Sequence, residues 1–100
     1  MIDRINENVV RLHHSVKMYG IPPINVYVLL GKEPALIDCG PDDPELFETF
    51  TQELREIGLV WKDIRHLIVT HTHVDHFGMA KRIRQATPLA IHVHPDDIPK

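Results

Sequence analysis

Cysteine is nearly absent: Cys39 stands alone, so no internal disulfide can staple this chain. Long apolar runs are missing as well, since no window approaches the roughly 18 consecutive apolar residues that a membrane span needs. The opening Met1-Ile2-Asp3-Arg4 lacks the charged region and apolar stretch of a signal peptide. Together these absences lead us to expect a cytoplasmic protein with no membrane partner. There is no excess of either charge: 11 Lys and Arg against 14 Asp and Glu give a net charge of -3, so no basic stripe for nucleic acid is evident. No repeat, low-complexity tract or linker divides the 100 residues. We therefore expect a single domain over 1–100, with a shallow core for its size.

Histidine, by contrast, is abundant, with eight scattered mostly in pairs, which is unlike a purification tag. Their placement depends on the elements around them. Val9 to His13 predicts a first strand. Ile24 to Leu30 is a nearly continuous β-branched and aromatic run between Gly20-Ile21-Pro22-Pro23 and Gly31-Lys32, which predicts a central strand buried on both faces. Ala35 to Asp38 follows a short Gly-Pro connection, so the two strands should pair as a hairpin. Asp43-Pro44-Glu45 predicts a helix start, with an acidic cap, proline at the first turn and a carboxylate near the positive helix end. Leu46, Phe47, Phe50, Leu54 and Ile57 recur at helical spacing, and Gly58 fits a left-handed C-cap with Leu59 folding back. Residues Ile57 to Ile64, with Trp61, should pack this helix onto the sheet. His66 to Thr70 predicts a short buried strand reached through a helix, as in a βαβ crossover. Gly78 to Ala86 predicts a second helix, Leu89 to His94 a further strand, and Pro95-Asp96-Asp97-Ile98 another helix start.

Between the His66–Thr70 strand and the second helix stands His71-Thr72-His73-Val74-Asp75-His76. A strand running into a loop points alternate side chains the same way, so His71 and His73 can offer two imidazoles to one metal. Asp75 and His76, at the turn into the helix, project differently and can serve a second metal or hold a water beside the first. With eight His and eight Asp in the chain, chance alone yields such a pattern about 0.004 times over all windows. The pattern is therefore treated as a site, in preference to a polar loop whose histidines cap backbone groups. Catalytic zinc commonly keeps three protein ligands and an open position for a water whose pKa falls to about 7, which points to hydrolysis.

Thr70, His71, His73, Asp75, His76 and Gly78 resemble the Thr-His-x-His-x-Asp-His-x-Gly signature of the metallo-β-lactamase superfamily. Asp38-Cys39-Gly40 is similar to the Asp-x-Gly turn that ends an early strand in that family. The resemblance implies an α/β fold: a mixed β-sheet with helices on one face, equivalent to the N-terminal half of the αβ/βα sandwich. It implies that His71 and His73 hold the first metal, and Asp75 and His76 a second where two are bound. Asp75 would also orient or deprotonate the attacking water, and Asp38 would support the metal loop from behind the ligands. The metal would be zinc, one or two ions, with iron possible. The reaction would be attack of metal-bound hydroxide on a small-molecule ester, thioester, lactam or phosphodiester. The strand Asn25-Val26-Tyr27-Val28 and the turn at Asp38 resemble the glyoxalase II-like branch, while Met79 departs from it where many members carry a second glycine. Family members run to about twice this length, and their later half supplies a further His, a bridging Asp and a last His. None has a counterpart here, so completion by a C-terminal half or by self-association is expected. Two alternatives stay open: a non-catalytic metal-binding or interaction module, and a mononuclear iron oxygenase acting on persulfides.

The remaining polar candidates have plainer readings. His92 and His94 share a strand face and suit solvent or a supporting role better than substitute ligands. His13 and His14, being adjacent, should point to opposite faces, and His66 lies at the strand entrance far from the motif. Cys39 reads as a small buried thiol. Asp42-Asp43 and Asp96-Asp97 read as helix starts, and Lys81, Arg82 and Arg84 as a solvated helix face.

Overall fold

In the computed structural model, residues 1–15, 23–70 and 78–93 are described. They form a six-stranded mixed sheet in the order β1-β2-β3-β4-β5-β6. The strands are β1 (Ile2–Asn6), β2 (Val9–His14), β3 (Ile24–Leu29), β4 (Ala35–Ile37), β5 (His66–Val69) and β6 (Ala90–Val93), and the helices are α1 (Pro44–Glu56) and α2 (Ala80–Ala86). The first four strands pair antiparallel, whereas β4, β5 and β6 run parallel. The short β1–β2 and β3–β4 turns reverse the chain, whereas a parallel neighbour needs a crossover such as α1 between β4 and β5 and α2 between β5 and β6.

The helix expected after Asp43 forms as its residues dictate. Asp43 accepts a hydrogen bond from the Glu45 N–H at 3.0 Å, and Pro44 occupies the first turn. At the other end the Leu59 N–H donates to the Leu54 carbonyl and the Gly58 N–H to the Arg55 carbonyl, a Schellman closure with Gly58 at φ 86. Leu46, Phe50 and Leu54 on the buried stripe of α1 join Val10, Leu12, Val26, Val28, Leu36, Leu67 and Val69 of the sheet in one core. Trp61, in a short 3-10 turn, stacks on Phe47 at 5.0 Å between ring centroids and donates its indole N–H to Thr51 Oγ1 at 2.7 Å. Full burial of side chains such as Phe50 is worth roughly 1.5–3 kcal/mol each.

Two expectations are corrected. β1 was not anticipated: it is short, polar and largely exposed, an edge strand paired antiparallel with β2, with the Asp3–Arg11 ion pair at 2.6 Å across the pair and only Ile2 packed against the core. β3 is not buried on both faces. Ile24, Val26 and Val28 are buried, while Asn25 is exposed and Tyr27 and Leu29 are half-buried. The reason is that both helices feed the same face of the sheet. On the other face Asp3, Arg11, Tyr27, Ile37, Ile68 and His92 align in one cross-strand row, and Ile68 is 37% exposed. The expected start of a further helix at Pro95–Ile98 lies outside the described residues.

Candidate metal centre

A densely hydrogen-bonded turn ends β4. Asp38 takes φ 64, a left-handed conformation that costs a non-glycine residue about 1–2 kcal/mol and that aspartate tolerates better than most. Its N–H continues the parallel ladder by donating to the Ile68 carbonyl at 2.8 Å. Its carboxylate, nearly buried, then accepts from Thr70 twice: from the backbone N–H at 2.8 Å and from Oγ1 at 2.6 Å. A carboxylate has no proton to give, so the Thr70 hydroxyl is fixed as donor. The end of β5, one residue before His71, is thereby held to the end of β4.

Two residues on, Gly40 holds the other side of the motif. Its carbonyl accepts the Met79 N–H at 2.9 Å, and Met79 leads into α2. Gly40 sits at φ 81, and a Cβ there would stand 2.7 Å from Ile24 Cδ1 and 3.1 Å from Leu46 Cδ2. Glycine therefore supplies both the backbone angle and the close approach to the core. Between them, Cys39 is fully buried, and burial, with the neighbouring Asp38 charge, pushes its thiol up to about 12. It is a packed thiol that holds its proton at neutral pH, which makes it a poor nucleophile. One three-residue turn thus anchors Thr70 and Met79, which flank the motif.

His71, His73, Asp75 and His76 themselves lie outside the described residues, as does His94. Asp38 bonds Thr70, the residue that precedes His71 in the sequence. The other histidines disperse. His13 meets Asn25 Oδ1 at 2.7 Å, whereas His14 pairs with the buried Glu53 of α1 at 2.6 Å and packs edge-on against Phe50, so the adjacent pair does diverge. His92 is exposed on the helix-free face and contacts His66 Nδ1 through Nε2 at 3.0 Å. That contact draws its ring toward the entrance of β5 and away from the motif. Lys81 and Arg84 are exposed as expected of a solvated helix face, and Arg82 makes a surface ion pair with Asp42 at 2.8 Å. Among the described residues no three His, Cys, Asp or Glu side chains converge as a metal site. The roles of the Gly40 carbonyl and the Met79 N–H were invisible in the sequence because backbone groups carry no residue signature.

A family model described as the metallo-beta-lactamase superfamily matches residues 19–100. The chain belongs to that superfamily. Probable metallo-hydrolase YqjP of Bacillus subtilis (strain 168) is 30% identical over 61 residues, covering 61% of this chain and 19% of that protein. A metallo-beta-lactamase family protein of Thermus thermophilus superposes with a TM-score of 0.74 at 25% identity, covering 84% of this chain and 28% of that one. The FEZ-1 metallo-beta-lactamase of Legionella gormanii gives a TM-score of 0.79 at 18% identity, covering 97% and 34%. The sheet and its two helices correspond to the N-terminal half of that fold. The chain spans about a fifth of the curated relative's length and about a third of the two structures'. No helix among the described residues is long and apolar enough to cross a membrane.

Proposed function

We propose that this chain carries the metal-binding part of the active site of a metal-dependent hydrolase, acting on a small-molecule ester, thioester, lactam or phosphodiester. The observation that carries the reading is the double anchorage by Asp38 and Gly40, which braces Thr70 and Met79 on either side of His71-Thr72-His73-Val74-Asp75-His76. Such bracing is what a metal loop needs, because ligands must be held close to their working geometry before the ion arrives.

The donor set fits the group. Three imidazoles and a carboxylate suit zinc, one or two ions, and suit iron as well. His71 and His73 are assigned to the first metal, and Asp75 and His76 to the second where two are present. A bound metal supplies Lewis acidity and lowers the pKa of a coordinated water to about 7. Asp75 accepts a hydrogen bond from the attacking water and orients it or takes its proton at a carboxylate oxygen. Asp38 holds the Thr70 backbone and hydroxyl, and so fixes the strand end from which the first ligand would depart.

The apolar part of the open sheet face, Tyr27, Ile37 and Ile68, suits cover by the remaining half of the sandwich, which would add the other ligands and most of the substrate pocket. Within the family we favour the glyoxalase II-like branch, on the Asn25–Val28 strand and the Asp38 turn. A cytoplasmic setting agrees with the single buried thiol.

The test is hydrolysis by the full-length protein across an ester, thioester, lactam and phosphodiester panel, with His71→Ala and Asp75→Ala beside it. Both variants should lose at least about a hundredfold in rate with unchanged circular dichroism. Hydrolysis that persists in both variants, or iron-dependent oxygen uptake with a persulfide in place of hydrolysis, would overturn the proposal.

A further inference from the structure

Two carboxylates are buried among the described residues, Asp38 and Glu53. Asp38 holds the end of β5, whereas Glu53 stands on α1 with no part in that turn. A buried carboxylate is costly without partners, and Glu53 has two. Its Oε1 lies 2.6 Å from His14 Nε2, and because a carboxylate only accepts, the imidazole nitrogen donates. The Met1 amino group stands 3.1 Å from both Glu53 Oε2 and His14 Nε2, and the shorter carboxylate contact sets the His14 tautomer. The His14 ring also packs edge-on against Phe50, 5.7 Å between centroids. α1 is thereby fastened to the last residue of β2 by side chains 39 residues apart in sequence.

The fastening bears on the motif through Gly40. A Cβ at Gly40 would stand 2.7 Å from Ile24 Cδ1 and 3.1 Å from Leu46 Cδ2, so those two side chains wall in the glycine. The walls belong to different elements. Ile24 pairs with His14 across β2 and β3, and Leu46 lies on the buried stripe of α1, two turns before Glu53 and on the same helix face. The Glu53–His14 contact therefore joins the strand pair that carries one wall to the helix that carries the other. Interiors packed this closely pass a shift of one wall to the group between them. That group, through the Gly40 carbonyl, accepts the Met79 N–H at 2.9 Å where the chain enters α2.

We propose that Glu53 and His14 are positioning residues for the metal motif, a proposal that rests on the reading of residues 71–76 as a metal loop. By clamping α1 to the end of β2 they keep Ile24 and Leu46 closed on Gly40, and Gly40 holds Met79 on the C-terminal side of the motif. Outer partners of metal ligands typically change affinity 10–100-fold when removed; this pair acts further back, through Gly40 and Met79, and belongs at the lower end. Replacing a buried ion pair by apolar side chains of similar size is often neutral for stability, so positioning can be separated from folding.

The test measures zinc affinity of the full-length protein by competition with a chromogenic chelator, and amide hydrogen exchange at Met79. Glu53→Leu and His14→Phe should each weaken zinc binding about tenfold and speed exchange at Met79, with unchanged circular dichroism. Glu53→Gln keeps an acceptor for His14 and should retain most of the affinity. Gly58→Ala strains the far end of α1 without reaching Gly40, so it should lower the melting point and leave zinc affinity unchanged. Glu53→Leu should add little in a Gly40→Ala background, where the seat is already disturbed. If the unmutated protein binds zinc and its affinity is untouched by Glu53→Leu and His14→Phe, is weakened equally by Gly58→Ala, or falls additively with Gly40→Ala, the proposal alone is overturned. Unmutated protein that takes up no zinc would overturn it together with the hydrolase reading.

Discussion

Asp38 accepts both hydrogen bonds that Thr70 has to give, from its N–H at 2.8 Å and its hydroxyl at 2.6 Å. The pair lies 32 residues apart in sequence, so it closes β4 onto β5 at the edge where the motif begins. Removing the carboxylate strips partners from groups at a packed strand end, at a cost of about 1–3 kcal/mol. We expect Asp38→Ala to destabilise by about that amount in denaturant unfolding, and Thr70→Val by about half as much. A double-mutant cycle should show coupling of at least about 0.5 kcal/mol, in the range typical of contacting residues. Strictly additive effects would mean the contact contributes nothing.

Gly40 and Gly58 both have positive φ, but their surroundings differ. An added Cβ at Gly58 meets nothing within 4 Å, whereas at Gly40 it meets Ile24 and Leu46. Gly58→Ala should therefore cost only the conformational term, about 1–2 kcal/mol. Gly40→Ala should cost more, by about 1 kcal/mol or above, since overpacking adds to it. Both colliding atoms are side-chain ends, so Ile24→Val should recover part of the difference. Equal melting-point losses for the two alanine variants would contradict the contact geometry at Gly40.

Cys39 supplies a pH signature. Its thiol is raised from 9.0 to about 12 in the folded protein, so the native state holds the proton more tightly than the unfolded chain does. The stability this represents is fully present below about pH 9 and is lost as pH rises toward 12. Unfolding free energy should decline across that window, and Cys39→Ala should flatten the decline. At about pH 8, below the ordinary thiol range, a thiol reagent should label Cys39 only after denaturant is added; rapid labelling of the native protein would show that the thiol is not packed as described.

Much of this architecture was legible from residue types. The α1 helix announced both of its ends, through Asp43-Pro44 and Gly58-Leu59, because capping is chemistry local to a few side chains. The β4–α1–β5 crossover was legible from an apolar strand on each side of a helix. β1 was not, because an exposed edge strand held by Asp3 and Arg11 carries almost no apolar alternation. The second face of β3 was misjudged for a related reason: Ile24 to Leu30 reads as apolar throughout, and only the position of the helices decides which side is covered. The signature residues 71–76 lie outside the described residues, while the Asp38-Cys39-Gly40 segment was legible as the turn that ends a strand. The Gly40 carbonyl and the meeting of His66 with His92 were not, since one is a backbone group and the other depends on strand register.

The central claim is that His71, His73, Asp75 and His76 hold a metal. Elemental mass spectrometry of the full-length protein, purified without chelator, tests it most directly beside a His71→Ala, His73→Ala double variant of unchanged circular dichroism. The account predicts one to two equivalents of zinc, or of iron, in the unmutated protein and a loss of at least one equivalent in the variant. Metal-free unmutated protein, or metal content indifferent to the two substitutions, would contradict it.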